Sequence, residues 1–253
     1  DLRGLHHTLR HLTVRLREVR FQRRHTFFAA LADLPALEVL NITCEAVLVP
    51  TGVALGNGEG LRRLRSLKIS EEPDANGERR MEVYLDRAEL PALERVVLHV
   101  NTSDVLAHAW RFPHLRHVVY NNDRDTFEDA RLDGCTLTYL ETDVANDAAM
   151  TYLTSAVAHA AAVHRLALGC MDDAVLTSRM PVRELVLHMC ELVTVDLDFA
   201  VVSTLERFRV EALDMSANWA VRLQHVGAFD RFLMWTRRTD AFVDQGGQLT
   251  VAT

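Results

Sequence analysis

The sequence predicts an α/β solenoid, a stack of short turns that each contribute one strand to a parallel sheet on an inner, concave face. Three observations predict it. The pattern apolar-x-x-apolar-x-apolar recurs along the whole chain, its copies keep a roughly constant period, and the segments between copies read as short apolar helices or turn-rich loops.

The copies run Leu9/Leu12/Val14, Leu37/Leu40/Ile42, Leu64/Leu67/Ile69, Leu93/Val96/Leu98 and Leu115/Val118/Tyr120. They continue as Leu137/Leu140/Thr142, Val163/Leu166/Leu168, Val182/Leu185/Leu187, Leu205/Phe208/Val210 and Phe229/Phe232/Met234. A partial copy, counted from Gly246, closes the chain at Leu249 and Val251. A single copy carries little information, because any amphipathic strand supplies one. A series of them, spaced about 24 residues apart on average, specifies a repeat.

Elementary physics accounts for the spacing. The final x-apolar-x-apolar is a strand whose alternate side chains point inward. The first apolar residue enters the core at the bend before it. One turn cannot bury its own apolar face, so neighbours stack and their strands pair in parallel. Burying three such side chains contributes about 5–8 kcal/mol gross per turn, most of it offset by chain entropy.

Between the copies, His25–Leu31 and Ser103–Trp110 read as short helices, the second with Ser103 or Asp104 as its cap. The Ala-rich segment 147–162 is the best helix of the chain, and Met215–Val226 is a weaker one. Val49–Gly52 and Glu71–Glu78 read as loops.

With these units the chain resembles the leucine-rich-repeat family, whose units run about 20–29 residues. Family members often carry Asn or Cys three residues beyond the last apolar position. Asn101 and Cys190 match it, Cys44, Asn122 and Cys170 fall one residue early, and other turns carry Glu45, Glu72, Ala145, Leu213 or Arg237. Cys170 and Cys190 are expected as buried turn residues. Such degenerate units with Cys near the turn are similar to the repeat portion of F-box-type substrate receptors of ubiquitin ligases, although no F-box helical segment precedes Leu9. The resemblance implies one leucine-rich-repeat domain over residues 1–253, of about eleven degenerate repeats. It would form a right-handed arc with short helices and irregular segments on its convex face.

Composition bounds the function classes. Hydrophobic residues make up 49%, too many for a disordered chain, yet no apolar run approaches a membrane span. Four scattered cysteines without a CxxC pair fit reduced thiols in an intracellular protein, cytoplasmic or nuclear. The start at Asp1, with neither Met nor a signal-peptide profile, reads as an excised or processed piece. The net charge of −7 argues against a nucleic-acid groove, although residues 1–25 are locally basic and residues 121–147 locally acidic. Neither GxSxG, HExxH nor a phosphate-binding Gly loop is present, since Gly56–Gly60 lacks the following Lys-Ser/Thr. Asp123, Asp125, Glu128 and Asp129 lack the Gly and terminal Glu of a calcium loop. No catalytic residue, cofactor, metal or small-molecule substrate is expected.

Strand alternation instead predicts a binding face. One outward column runs His11, Val39, Ser66, Arg95, His117, Tyr139, Arg165, Glu184, Arg207 and Arg231. The next runs Thr13, Asn41, Lys68, Val97, Val119, Glu141, Ala167, Val186, Arg209 and Leu233, and the third runs Arg15, Thr43, Ser70, His99, Asn121, Asp143, Gly169, His188, Glu211 and Trp235. The expected partner-binding residues are Arg95, His99, His117, Tyr139, Glu141, Arg165, His188 and Arg207. Tyr139, with Arg95 and Arg165, supplies the anchors, because Tyr and Arg dominate interface hot spots. Glu141 and Asp143 point to some basic residues on the partner. The expected function is a protein-interaction scaffold, with the outer loops near Glu71 and Asp125 as the competing contact surface. A structural subunit of a large assembly, a pathogen effector and an immune-type receptor are the alternative roles.

Overall fold

A computed structural model describes residues 7–16, 30–31, 34–45, 51–55, 61–72, 81–85, 88–100, 105–120, 127–144, 147–170, 174–176, 180–189, 194–198, 204–212, 220–224, 240–243 and 249–252. The chain forms two units, Asp1–Asn122 and Asp123–Thr253.

In the first unit the strands are β1 (His11–Leu16), β2 (Val39–Cys44), β3 (Thr51–Ala54), β4 (Ser66–Glu71), β5 (Met81–Tyr84), β6 (Arg95–His99) and β7 (His117–Tyr120). Strands β1, β2, β4, β6 and β7 pair in parallel in that order, and β3 pairs with β5. The register follows the sequence repeat residue by residue. Leu12, Leu40, Leu67, Val96 and Val118 stand side by side, as do Val14, Ile42, Ile69, Leu98 and Tyr120. From β2 to β7 these two rows are buried, while on β1 they are half-buried.

The approach to β2, β4, β6 and β7 is regular too. Leu37, Leu64, Leu93 and Leu115 donate their N–H groups to the carbonyls three residues earlier, of Leu34, Leu61, Leu90 and Phe112, at 3.0–3.1 Å. Those four earlier residues are buried. At these four strands a buried apolar residue therefore precedes the six-residue pattern. Its three-residue spacing is the step of a tight i→i+3 turn.

In the second unit the strands are β8 (Thr136–Val144), β9 (Ala162–Cys170), β10 (Ala174–Leu176), β11 (Val182–Met189), β12 (Thr194–Asp198), β13 (Arg207–Ala212), β14 (Ala220–Gln224), β15 (Asp240–Val243) and β16 (Leu249–Ala252). Strands β8, β9, β11 and β13 pair in parallel, again with repeat positions aligned: Leu140, Leu166, Leu185 and Phe208 form one buried row. A second sheet runs β10-β12-β14-β16-β15, parallel as far as β14 and antiparallel through β16 and β15.

Several expectations change. The segment Met215–Val226 contains β14 instead of a helix. Val221 and Leu223 alternate with polar neighbours and align with Val195 and Leu197 of β12, so strand pairing prevails over helix propensity. Thr51 and Gly52 begin a strand and do not form a loop, with β-branched Thr51 and Val53 paired against Met81 and Val83. Leu249 and Val251 lie in the antiparallel part of the second sheet, so the last partial copy does not extend the repeat strands. The Ala-rich helix spans Asp147–Ala158 and stops short of Ala162. Ala161 and Ala162 donate N–H groups to Cys135 O at 2.8 and 3.3 Å, which draws the chain into β9. Within the run 103–110, Val105–His108 is helical and continues as a 3-10 turn, Ala109–Arg111. Its expected caps Ser103 and Asp104 lie outside the described residues, as do most of His25–Leu31, the copy Phe229/Phe232/Met234, Asn101, Asn122 and Cys190.

Glu71 is a further correction. It ends β4 at an inward position aligned with Cys44 and is 4% exposed. Its Oε2 accepts the Met81 N–H at 2.7 Å, which ties the main sheet to β5. It does not belong to an exposed loop. No helix among the described residues is long and apolar enough to cross a membrane.

Candidate functional site

The outward positions are best built up unit by unit. In the second unit, β8 presents Tyr139, Glu141 and Asp143, β9 presents Arg165, Ala167 and Gly169, and β11 presents Glu184, Val186 and His188. On β13, Arg207 stands opposite Glu184 and is exposed.

Tyr139 and Glu141 are two residues apart on one strand and so share a face. The Tyr139 hydroxyl donates to Glu141 Oε2. The Arg165 guanidinium on the next strand lies over the Tyr139 ring, 5.3 Å from its centroid. Arg165 Nε is 3.8 Å from Glu184 Oε1 on the strand beyond, an ion pair too long to be a hydrogen bond. The result is a linked series, Glu141–Tyr139–Arg165–Glu184, that crosses three strands. Two of the three expected anchors, Tyr139 and Arg165, therefore lie in contact, and Glu184, which belongs to the same column, completes the series. Arg95 stands in the first unit, opposite His117.

Gly169 has a specific role in this face. A Cβ at that position would fall on Oδ1 of Asp143, so the Asp143 carboxylate occupies space that only glycine leaves free. On its other side Gly169 is aligned with His188, which is half-buried. Column alignment alone identifies the three residues as neighbours. Their packing requires the coordinates.

In the first unit, Arg95 is exposed and stands opposite His117, which is half-buried. His99 is half-buried opposite Ser70. Val97 and Val119 lie between these rows and are only 5% and 8% exposed, while Ala167 and Val186 of the second unit are fully buried. These four side chains stand in an outward column yet leave little apolar surface exposed. The exposed side chains beside them, such as Lys68 and Arg95, are polar.

Charges in the first unit are distributed unevenly. Carboxylates flank the strands and meet arginines there. Glu38 lies 3.6 Å from Arg10, Glu94 3.5 Å from Arg65 and Glu89 3.8 Å from Arg62, while Arg15 contacts both Glu45 and Glu72. The outward rows on β1, β2, β4, β6 and β7 contain Arg15, Lys68, Arg95, His11, His99 and His117, and no carboxylate among the described residues.

Among the described residues no group of three or more His, Cys, Asp or Glu is placed to hold a metal ion. Comparisons with protein-family models, with curated proteins and with solved structures find no match to this chain.

Proposed function

We propose that the chain is a leucine-rich-repeat solenoid that serves as a protein-interaction scaffold and engages a protein partner through the outward, concave face of its repeat strands. The observation that carries this reading is the linked series Glu141–Tyr139–Arg165–Glu184. Its members stand on paired strands and already hold one another, so binding would order few additional torsions. Tyr and Arg are also the side chains that most often dominate binding energy at interfaces. The specific form of the proposal is a substrate receptor of a ubiquitin ligase, supported by the irregular unit lengths and the cysteines near strand ends.

Affinity purification of the chain from cells, with mass spectrometry of what co-purifies, identifies the partner. Comparison with the double variant Tyr139→Ala/Arg165→Ala then locates its site. Each truncation is expected to weaken the partner by about 1–3 kcal/mol while leaving thermal unfolding cooperative. Undiminished affinity would remove the site from this face. Ubiquitin-ligase subunits among the co-purifying proteins would support the specific form.

A further inference from the structure

We infer that the outward face of the first unit, around Lys68 and Arg95, is a docking surface for an acidic polypeptide segment. The inference rests on the scaffold reading above and adds the chemistry of the partner. Its basis is the separation of charge within the unit. Every ion pair that the carboxylates Glu38, Glu45, Glu72, Glu89 and Glu94 make with Arg10, Arg15, Arg62 or Arg65 involves residues flanking the strands or at the Arg15 edge. Glu71 points into the core and is held by the Met81 N–H. Lys68 and Arg95, by contrast, are exposed, and neither makes an ion pair among the described residues.

Register brings the relevant side chains together. Lys68 on β4 is aligned with Val97 on β6, and Arg95 and His99 lie two residues to either side of Val97. His117 on β7 is aligned with Arg95, and Val119 with Val97. Two almost covered valines thus form a floor bordered by Lys68, Arg95, His99 and His117. Adjacent strands are about 4.8 Å apart, so a partner's extended segment crossing this floor can set carboxylates against Lys68 and Arg95 together. The chain carries a net charge of −7, which repels a long polyanion such as nucleic acid at distance. A short acidic segment of a protein experiences the local cations more than that distant field, because salt screens charges beyond about 8–10 Å.

The test uses the full chain and three labelled probes: a short polyglutamate peptide, a polylysine peptide of equal length and a single-stranded oligonucleotide. Expected is binding of polyglutamate that weakens as salt rises, and weaker or absent binding of the other two. Lys68→Glu/Arg95→Glu should weaken polyglutamate roughly tenfold or more. Arg62→Glu/Arg63→Glu, which changes the net charge equally away from the face, should retain it. Equal losses in both variants would reduce the effect to net charge and overturn the inference, as would tighter binding of the oligonucleotide. Salt-sensitive self-association in sedimentation, abolished by Lys68→Glu/Arg95→Glu, would identify a second copy as the occupant and overturn it as well. A co-purified partner that loses affinity in Tyr139→Ala/Arg165→Ala but not in Lys68→Glu/Arg95→Glu would leave the scaffold reading standing and remove this one.

Discussion

Tyr139 and Arg165 show how much of a surface side chain's behaviour is set by its neighbours. The guanidinium stacks on the ring and leans toward Glu184, so the pair is ordered before any partner arrives. A double-mutant cycle on unfolding, with Tyr139→Phe, Tyr139→Ala and Arg165→Ala, should give a coupling of about 0.5–1 kcal/mol. Phe keeps the ring face and should retain most of that coupling. Zero coupling in the Ala cycle would mean that the stacking contributes nothing in solution. At Gly169 the effect is steric. Gly169→Ala places a methyl against the Asp143 carboxylate and should destabilise the protein by roughly 1–3 kcal/mol, read by denaturant midpoint. Gly169→Ala/Asp143→Ala should recover part of that loss, and failure to recover any would contradict the packing. Cys135 is a chemical case at the same scale. Burial first, and then the Asp133 carboxylate, push its thiol above the ordinary value. The folded state thus favours the neutral thiol, a contribution present below the unfolded pKa and lost as pH rises through the folded one. Iodoacetamide should modify Cys135 more slowly in the native protein than after unfolding at the same pH, and equal rates would contradict it.

The strands of the main parallel pairings owe their place to aligned inward side chains. Leu166 and Leu185 are fully buried and aligned with each other in the second unit. Leu166→Asp should therefore abolish cooperative folding, because a carboxylate would enter a core that offers it no partner. A soluble Leu166→Asp variant that unfolds cooperatively would mean that this row does not face the core. Glu71 illustrates the opposite case, a charged residue in an inward row. Its hydrogen bond to the Met81 N–H satisfies a backbone donor of β5. Glu71→Ala should destabilise by about 1–3 kcal/mol, since that buried donor loses its acceptor. Glu71→Gln keeps an acceptor oxygen and should lose less, whereas equal loss in the two variants would assign the role to charge. In sequence, Glu71 reads as loop because Pro73, Asn76 and Gly77 follow it. Nothing in the local pattern shows that β5, ten residues on, needs its carboxylate.

Across the chain, the recurring apolar pattern determined, within each unit and among the described residues, the order, direction and register of the main strands, as well as which side chains face inward. Leu12 aligns with Leu40 and Leu67, and Leu140 with Leu166 and Leu185, just as the spacing of the apolar residues requires. The physical reason is that a strand's period of two is a local property, written wherever the apolar pattern recurs. Among the described residues the alignment of the outward columns was legible too, since they are the complement of the inward ones, whereas the burial of Val97, Val119, Ala167 and Val186 within them was not. The helices Asp147–Ala158 and Val105–His108 were legible in part, but tertiary structure decided the rest of what fills the intervals between the main strands. Ala220–Gln224 became a strand because β12 offers a pairing edge, and Leu249–Ala252 turned antiparallel between β14 and β15. It also decided that Val97 and Val119 are covered, that Arg165 rests on Tyr139 and that Asp143 lies over Gly169. These outcomes depend on side chains brought together from distant parts of the sequence, whose lengths and directions no local period encodes.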